Sequence, residues 1–239
     1  MTNAADDAWP ELVALVAAAP TARILEGGSE GDREVLGLTK RSCLGAVIGN
    51  SGGITVDQGW LRLLGGTGSG LPSLVQANTK SSGLVVVGFD VLGGVFALDG
   101  GALGAGDGSA QYFAPDTLEW EGLGTSYSEL VAAMLAGSIE QFYEPFRWAG
   151  WQDEVGGLGL DRGMSFYPPL STAEGKDPSV SSRRAVQMRE LVGDLWPLAT
   201  GRLGQPGDSA GVSRQPLLKS ESERRVRGWP TCQQRPTSG

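Results

Sequence analysis

The chain opens with apolar positions at helical spacing. Leu12, Val13, Val16 and Ala17 fall on one face of a segment from Trp9 to Ala18, which predicts an amphipathic helix. Asp7 precedes it as a cap, Pro10 sits early enough that its missing N–H is harmless, and Pro20 stops it.

From Leu44 to Leu64 the pattern shortens. "LGAVIGNSGGITVD" holds two β-branched runs around "NSGG", which reads as a hairpin turn. "WLRLLG" follows as a third run, readable as strand or buried loop, and "LPSLVQAN" reads as a short helix after Pro72. "GLVVVGFDVLGGVFALDGG" is a second hairpin: Leu84 to Phe89 is apolar throughout, as in a strand buried on both faces, and Gly93–Gly94 supply the turn. "AQYFAP" is the next strand of the same meander, and "PDTLEW" an Asx-type turn opening another.

The period then changes to that of helices. "SYSELVAAMLAG" has Ser126 and Glu129 at capping-box spacing, with Gly137 as the stop. "SIEQFYEPFRW" repeats the device with Ser138 and Gln141, with Pro145 ending or bending the helix. A helical turn or two is expected within residues 151–160, "MSFYPPL" is extended, and "SRRAVQMRELVGDLW" reads as a final helix. This order predicts an α+β fold: an antiparallel β-meander of short strands packed with helices clustered in the C-terminal half. Residues 1–198 form one domain, and residues 199–239, rich in Gly, Pro, Ser, Gln and Arg without apolar periodicity, read as a disordered tail.

Composition sharpens this picture. Glycine is over-represented, with 38 of 239 residues against a usual ~7%, so many tight turns are expected. Residues 1–200 carry a net charge of −12 and residues 201–239 of +4. An acidic body repels phosphate backbones, so nucleic acid is not an expected partner, whereas a basic protein is. No apolar run is long enough to span a bilayer, and the N-terminal apolar stretch follows Asp6 and Asp7 rather than basic residues, so neither membrane nor signal peptide is expected. Cys43 and Cys232 are too far apart in sequence to form a redox motif, which suits a cytoplasmic location.

The chain contains no histidine. That removes Ser-His-Asp and Cys-His nucleophilic systems and nearly every zinc site. The glycine runs at 90–108 match neither a P-loop nor a dinucleotide fingerprint, so they are read as turns and no nucleotide cofactor or metal is expected. "GNSGG" matches the nucleophile-elbow pattern around Ser51, but without an imidazole and before a strand it reads as structural. Carboxylates remain: Asp57, Asp90, Asp99, Asp116 and Glu119, at strand ends and turns, could serve a carboxylate-dependent hydrolase or could simply cap turns. Trp120, Tyr127, Phe142, Tyr143, Phe146, Trp148, Trp151, Phe166 and Tyr167 cluster around Arg147 as either core or a partner-binding patch, and Trp60 is a further candidate binding residue.

Five stretches carry a resemblance: "GGITVDQGWLRLLGG", "DVLGGVFALDGGALG", "YFAPDTLEWEGLGTSYSEL", "FYEPFRWAGWQDEV" and "GMSFYPPLSTAEGKDPSVSSRRAVQM". Together they resemble the bacterial family known as domain of unknown function 2625, over about residues 10–195. The resemblance implies a single intracellular domain and supplies no catalytic residues to carry over. Where that family leads one to expect "DHGW", this chain has Asp57-Gln58-Gly59-Trp60, which removes imidazole chemistry from that position. The strand meander followed by "FAPDTLEW" and "SYSELV" is also similar to the Smi1/Knr4-like immunity proteins, α+β folds that bind protein partners, a likeness of fold alone. Residues and resemblance together predict a non-enzymatic binding domain, immunity- or adaptor-like, with the carboxylate hydrolase as the alternative.

Overall fold

The computed structural model describes residues 7–80 and 83–196. Seven strands form one antiparallel sheet in strict chain order. They are β1 (Arg23–Leu25), β2 (Gly53–Val56), β3 (Leu61–Leu64), β4 (Leu84–Asp90), β5 (Val95–Asp99), β6 (Ala110–Ala114) and β7 (Glu119–Gly122). A separate hairpin pairs β8 (Arg162–Tyr167) with β9 (Ser182–Gln187) and is joined to the turn after β4 by the Met164 N–H, which donates to the Val91 carbonyl at 2.6 Å. The expected α+β class and meander are what the structure shows.

Register follows the buried faces. Ile54 lies opposite Leu63 and Phe96 opposite Tyr112, and a bulge between Val86 and Gly88 adjusts the β4–β5 pairing. Every residue of β2 and β3 is buried, as in strands covered on both faces.

The helices are α1 (Trp9–Ala18), α2 (Glu30–Val35), α3 (Cys43–Asn50), α4 (Leu74–Ala77), α5 (Tyr127–Ala133), α6 (Ile139–Tyr143), α7 (Trp151–Gly156) and α8 (Met188–Val192). Helix α1 forms as expected, and the Asp7 carboxylate accepts from the Trp9 N–H at 2.9 Å. Its buried face is narrower than expected: Leu12 and Val16 are buried, whereas Val13 and Ala17 are exposed. Ser126 and Glu129 form the expected capping box of α5.

Three expectations are corrected and one left open is decided. The run at 43–50 is not the first arm of a hairpin but α3, started by Ser42, whose hydroxyl accepts from the Gly45 N–H at 3.0 Å. Leu44, Ala46, Val47 and Ile48 are all buried, and an apolar run enclosed on every side has no period from which helix and strand can be told apart. Residues 182–187 are strand β9 rather than helix, because pairing with β8 overrides their helix propensity; the helix begins only at Met188. Ser138 makes no capping bond: residues 134–138 continue α5 as a π turn, bent at Gly137. The third run, left open between strand and loop, is strand β3. The expected tail at 199–239 lies outside the described residues.

Candidate functional site

The turn between β2 and β3 uses three consecutive left-handed residues, Asp57 (φ 55°), Gln58 (φ 58°) and Gly59 (φ 86°). Such backbone is costly for residues other than glycine and persists where the surroundings hold it. Here the turn places the Asp57 carboxylate against the Arg147 guanidinium, which donates to it from Nη2 in an ion pair. Arg147 lies just beyond the Glu144–Phe146 3₁₀ turn, and its side chain is 14% exposed.

Two indole rings, edge to face with centres 5.3 Å apart, form a corner that holds that guanidinium. Its carbon sits 3.6 Å from the Trp60 ring centre and 3.7 Å from that of Trp151. Arg147 Nη1 has no hydrogen-bond partner, so stacking holds that side of the group. Trp60 is fully buried and also contacts Tyr143 and Trp148, with ring centres 5.4 and 5.5 Å away. Burial pushes the Asp57 carboxyl up, against the opposing pull of Arg147, and Glu140 nearby pushes in the same direction as burial. Burial likewise lowers Arg147, against the pull of Asp57.

Directly behind Tyr143 lies Asp90, fully buried. One carboxylate oxygen accepts from the Leu92 and Gly94 N–H groups, both at 2.8 Å, and the other from the hydroxyls of Tyr112 at 2.7 Å and Tyr143 at 2.8 Å. Gly94 is required here: a Cβ would come within 2.1 Å of the Asp90 carboxylate. The first glycine run is therefore a turn, as expected, and also the close wall of a buried carboxyl group. Burial raises the Asp90 carboxyl, and its four hydrogen bonds act against that. Arg62, also buried, donates to the Gly59 carbonyl at 3.0 Å and to the Leu160 carbonyl at 2.8 Å; burial lowers it to about 10.

Of the sequence-predicted site residues, Asp57, Trp60, Asp90, Arg147, Trp148 and Trp151 thus meet in one cluster. Most of it is core: Trp60 and Asp90 are 0% exposed and Trp148 is 4% exposed. The others lie elsewhere. Asp116 is in the turn before β7, Glu119 and Trp120 are on β7 with Trp120 against Phe113, and Tyr127 begins α5.

Asp99 lies at the end of β5, and the second glycine run wraps it. Its carboxylate accepts from the N–H groups of Gly101, Leu103, Ala105 and Gly106 at 2.8–3.2 Å. This run does cradle an anion, but the anion belongs to the chain itself. These backbone bonds, that from Leu103 foremost, hold the carboxyl down at about 2. A depressed carboxyl contributes stability above its unfolded value of about 3.9, and that contribution is lost as pH falls toward the folded value. Asp99→Asn is expected to flatten the fall in unfolding midpoint between about pH 4 and pH 2 and to raise amide exchange across 101–106. An unaltered acid limb would show that the loop does not depend on this charge.

The sequence reading missed three participants, Tyr112, Arg62 and Glu140, and had Tyr143 only as one aromatic of a cluster. Tyr112 and Tyr143 donate to Asp90, Arg62 lies buried within reach of its charge while bonding backbone carbonyls, and Glu140 adds a second carboxylate beside Asp57. An arginine inside the apolar run "LRLL" was the one available signal, since a buried charge implies a partner. Ser51 is buried, and its hydroxyl donates to the Val47 carbonyl at 2.8 Å, closing the end of α3.

Beside Asp57 a pocket of about 360 Å³ opens between the end of α1 and the π turn. Leu15, Pro20, Val56, Leu135 and Ile139 give it apolar walls, and Asp57 and Glu140 bring carboxylates to it. Among the described residues no group of three or more metal-ligating side chains occurs, and no helix is long and apolar enough to cross a membrane.

Fold and site together define an α+β protein in which a seven-stranded meander carries a buried Asp90–tyrosine network and an Asp57–Arg147 ion pair. The chain belongs to the protein family of unknown function DUF2625, whose model matches residues 1–191. It is 36% identical over 164 residues to the putative uncharacterized protein YbfG of Escherichia coli (strain K12), covering 65% of this chain and 73% of that protein. It is also 36% identical over 155 residues to an uncharacterized protein of Haemophilus influenzae (strain Rd), covering 60% of this chain and 68% of that one. No solved structure matches the chain.

Proposed function

We propose that this chain works by binding a basic protein partner, and that the pocket beside Asp57 receives a lysine or arginine side chain. The observation that carries this reading is the pairing of apolar walls with two acidic lining residues, exposed Glu140 and Asp57, whose charge Arg147 offsets, and no basic lining residue. Such a pocket accepts an aliphatic stem and a cationic head, and the net −12 of residues 1–200 steers basic surfaces toward it. The hydrolase alternative requires two carboxylates free to work on one substrate. Asp90 is held by two tyrosines, Asp99 by its own loop and Asp57 by Arg147. These commitments favour gripping over turnover.

Ala136 is exposed and lines the pocket, so it offers a place for a probe. A photo-crosslinking residue at position 136 is expected to capture one basic protein in cells of the native host. Glu140→Lys should abolish the adduct, and the same probe at exposed Val35 should not form it. An adduct that survives Glu140→Lys would remove the charge argument.

A further inference from the structure

A pocket of about 280 Å³ opens where the β1 edge of the sheet meets α7 and the segment after it. Strand register brings three polar side chains to it. Arg23 of β1 lies opposite Thr55 of β2, and Thr55 lies opposite Arg62 of β3. Directly opposed residues of antiparallel strands project from the same face, so the threonine stands between two arginines. All three line the pocket. With neighbouring strands ~5 Å apart, the arginines start about 10 Å from each other, within reach of a single anion above Thr55.

The guanidinium of Arg62 is fixed but not fully used. The residue is 1% exposed; Nε donates to the Gly59 carbonyl and Nη1 to those of Leu160 and Arg162. Gly59 and Leu160 also line the pocket, so the bonded guanidinium lies at its wall. Among the described residues Nη2 has no hydrogen-bond or ion-pair partner, and it is not sealed from solvent. The Thr55 hydroxyl and the exposed Arg23 have no partner among those residues either. Asp90 and Asp161 act on the Arg62 charge without pairing with it, and no described carboxylate lines the pocket.

Two cations with no lining anion, in a body of net −12, accept negative charge locally where the surface as a whole disfavours it. Arg23 can offer paired N–H donors to both oxygens of a carboxylate, with Thr55 and Arg62 Nη2 adding single bonds. Leu25, Val155, Leu158 and Leu160 supply apolar walls, which suit an organic body better than a hydrated inorganic ion. We propose that this pocket binds a small organic carboxylate, its oxygens held by Arg23, Thr55 and Arg62 and its apolar body set against the leucines. The site stands whether or not a basic protein docks beside Asp57, although Thr21 borders both pockets.

The test uses the full chain and ligand-detected NMR with benzoate and benzamide, which share a ring and differ in charge. Benzoate is expected to bind saturably at one site with a Kd of about 1 mM or below, and benzamide about tenfold or more weaker. Arg23→Gln should weaken benzoate by about tenfold or more, with the unfolding midpoint retained because the side chain is exposed. Thr55→Val should weaken it about fivefold, the worth of one hydrogen bond. Arg189→Gln, an equal loss of charge on exposed α8 surface, should change it less than about twofold. Butyrate should displace benzoate at concentrations where inorganic phosphate does not. Absence of saturable benzoate binding, equal affinity for benzamide, equal losses in Arg23→Gln and Arg189→Gln, or displacement by phosphate ahead of butyrate would each overturn the proposal.

Discussion

Replacing Asp90 with alanine is expected to lower the unfolding free energy by about 3–5 kcal/mol, the largest loss of any single polar substitution in this chain. The carboxylate satisfies four donors at once, from Leu92, Gly94, Tyr112 and Tyr143. Removing it takes the shared acceptor from two tyrosine hydroxyls and two backbone N–H groups in a fully buried place, and each donor left unsatisfied costs roughly 1–3 kcal/mol before relaxation. Asp90→Asn keeps the shape and the two backbone bonds but faces both hydroxyls with an amide donor. Its loss should fall between the wild type and alanine. Urea unfolding of both variants measures this, and an alanine variant within about 1 kcal/mol of wild type would show that the network is dispensable.

Arg147→Ala should cost about 3 kcal/mol, less than the full penalty of a wholly buried pair because the guanidinium is partly exposed. The change leaves Asp57 unpaired at 11% side-chain exposure and removes the guanidinium from the corner formed by Trp60 and Trp151. Arg147→Lys keeps the charge but loses the flat stacking face, so it should recover only part of that loss. The contact also predicts non-additivity: Asp57→Asn should be costly alone and nearly neutral once Arg147 is alanine. Thermal unfolding of the four proteins in that cycle reads the coupling, with roughly 2–4 °C per kcal/mol at this chain size. Additive midpoints would show that the ion pair carries no energy.

Both predictions concern residues that the sequence brought forward for a different reason. Asp57, Asp90 and Arg147 stood out as candidate chemistry, and the fold uses them to hold itself together. Turn positions were readable because glycine and capping residues are local signals: Ser126 with Glu129, and Gly93–Gly94, behave as their neighbours dictate. The tyrosine half of the Asp90 network was not readable, because Tyr112 and Tyr143 stand 22 and 53 residues away in the chain and only the sheet register and the approach of α6 bring them to it. The two misread elements share that cause. Helix α3 is enclosed on every side, and β9 exists because β8 is there to pair with it, so in neither does local pattern decide the outcome. Glu140 gave no signal at all: one carboxylate on the polar side of α6 looks like any other until the pocket beside Asp57 is seen.

The proposed role depends on that pocket rather than on acidity in general, and one titration separates the two. A labelled peptide of alternating lysine and leucine is added to wild type, to Glu140→Lys and to Glu34→Lys, a charge reversal on exposed α2 outside the pocket. Fluorescence anisotropy should report saturable binding that weakens with salt, falls about tenfold or more in Glu140→Lys, and changes less than about twofold in Glu34→Lys. Equal losses in the two variants, or no saturable binding by the wild type, would contradict a dedicated site for a basic partner.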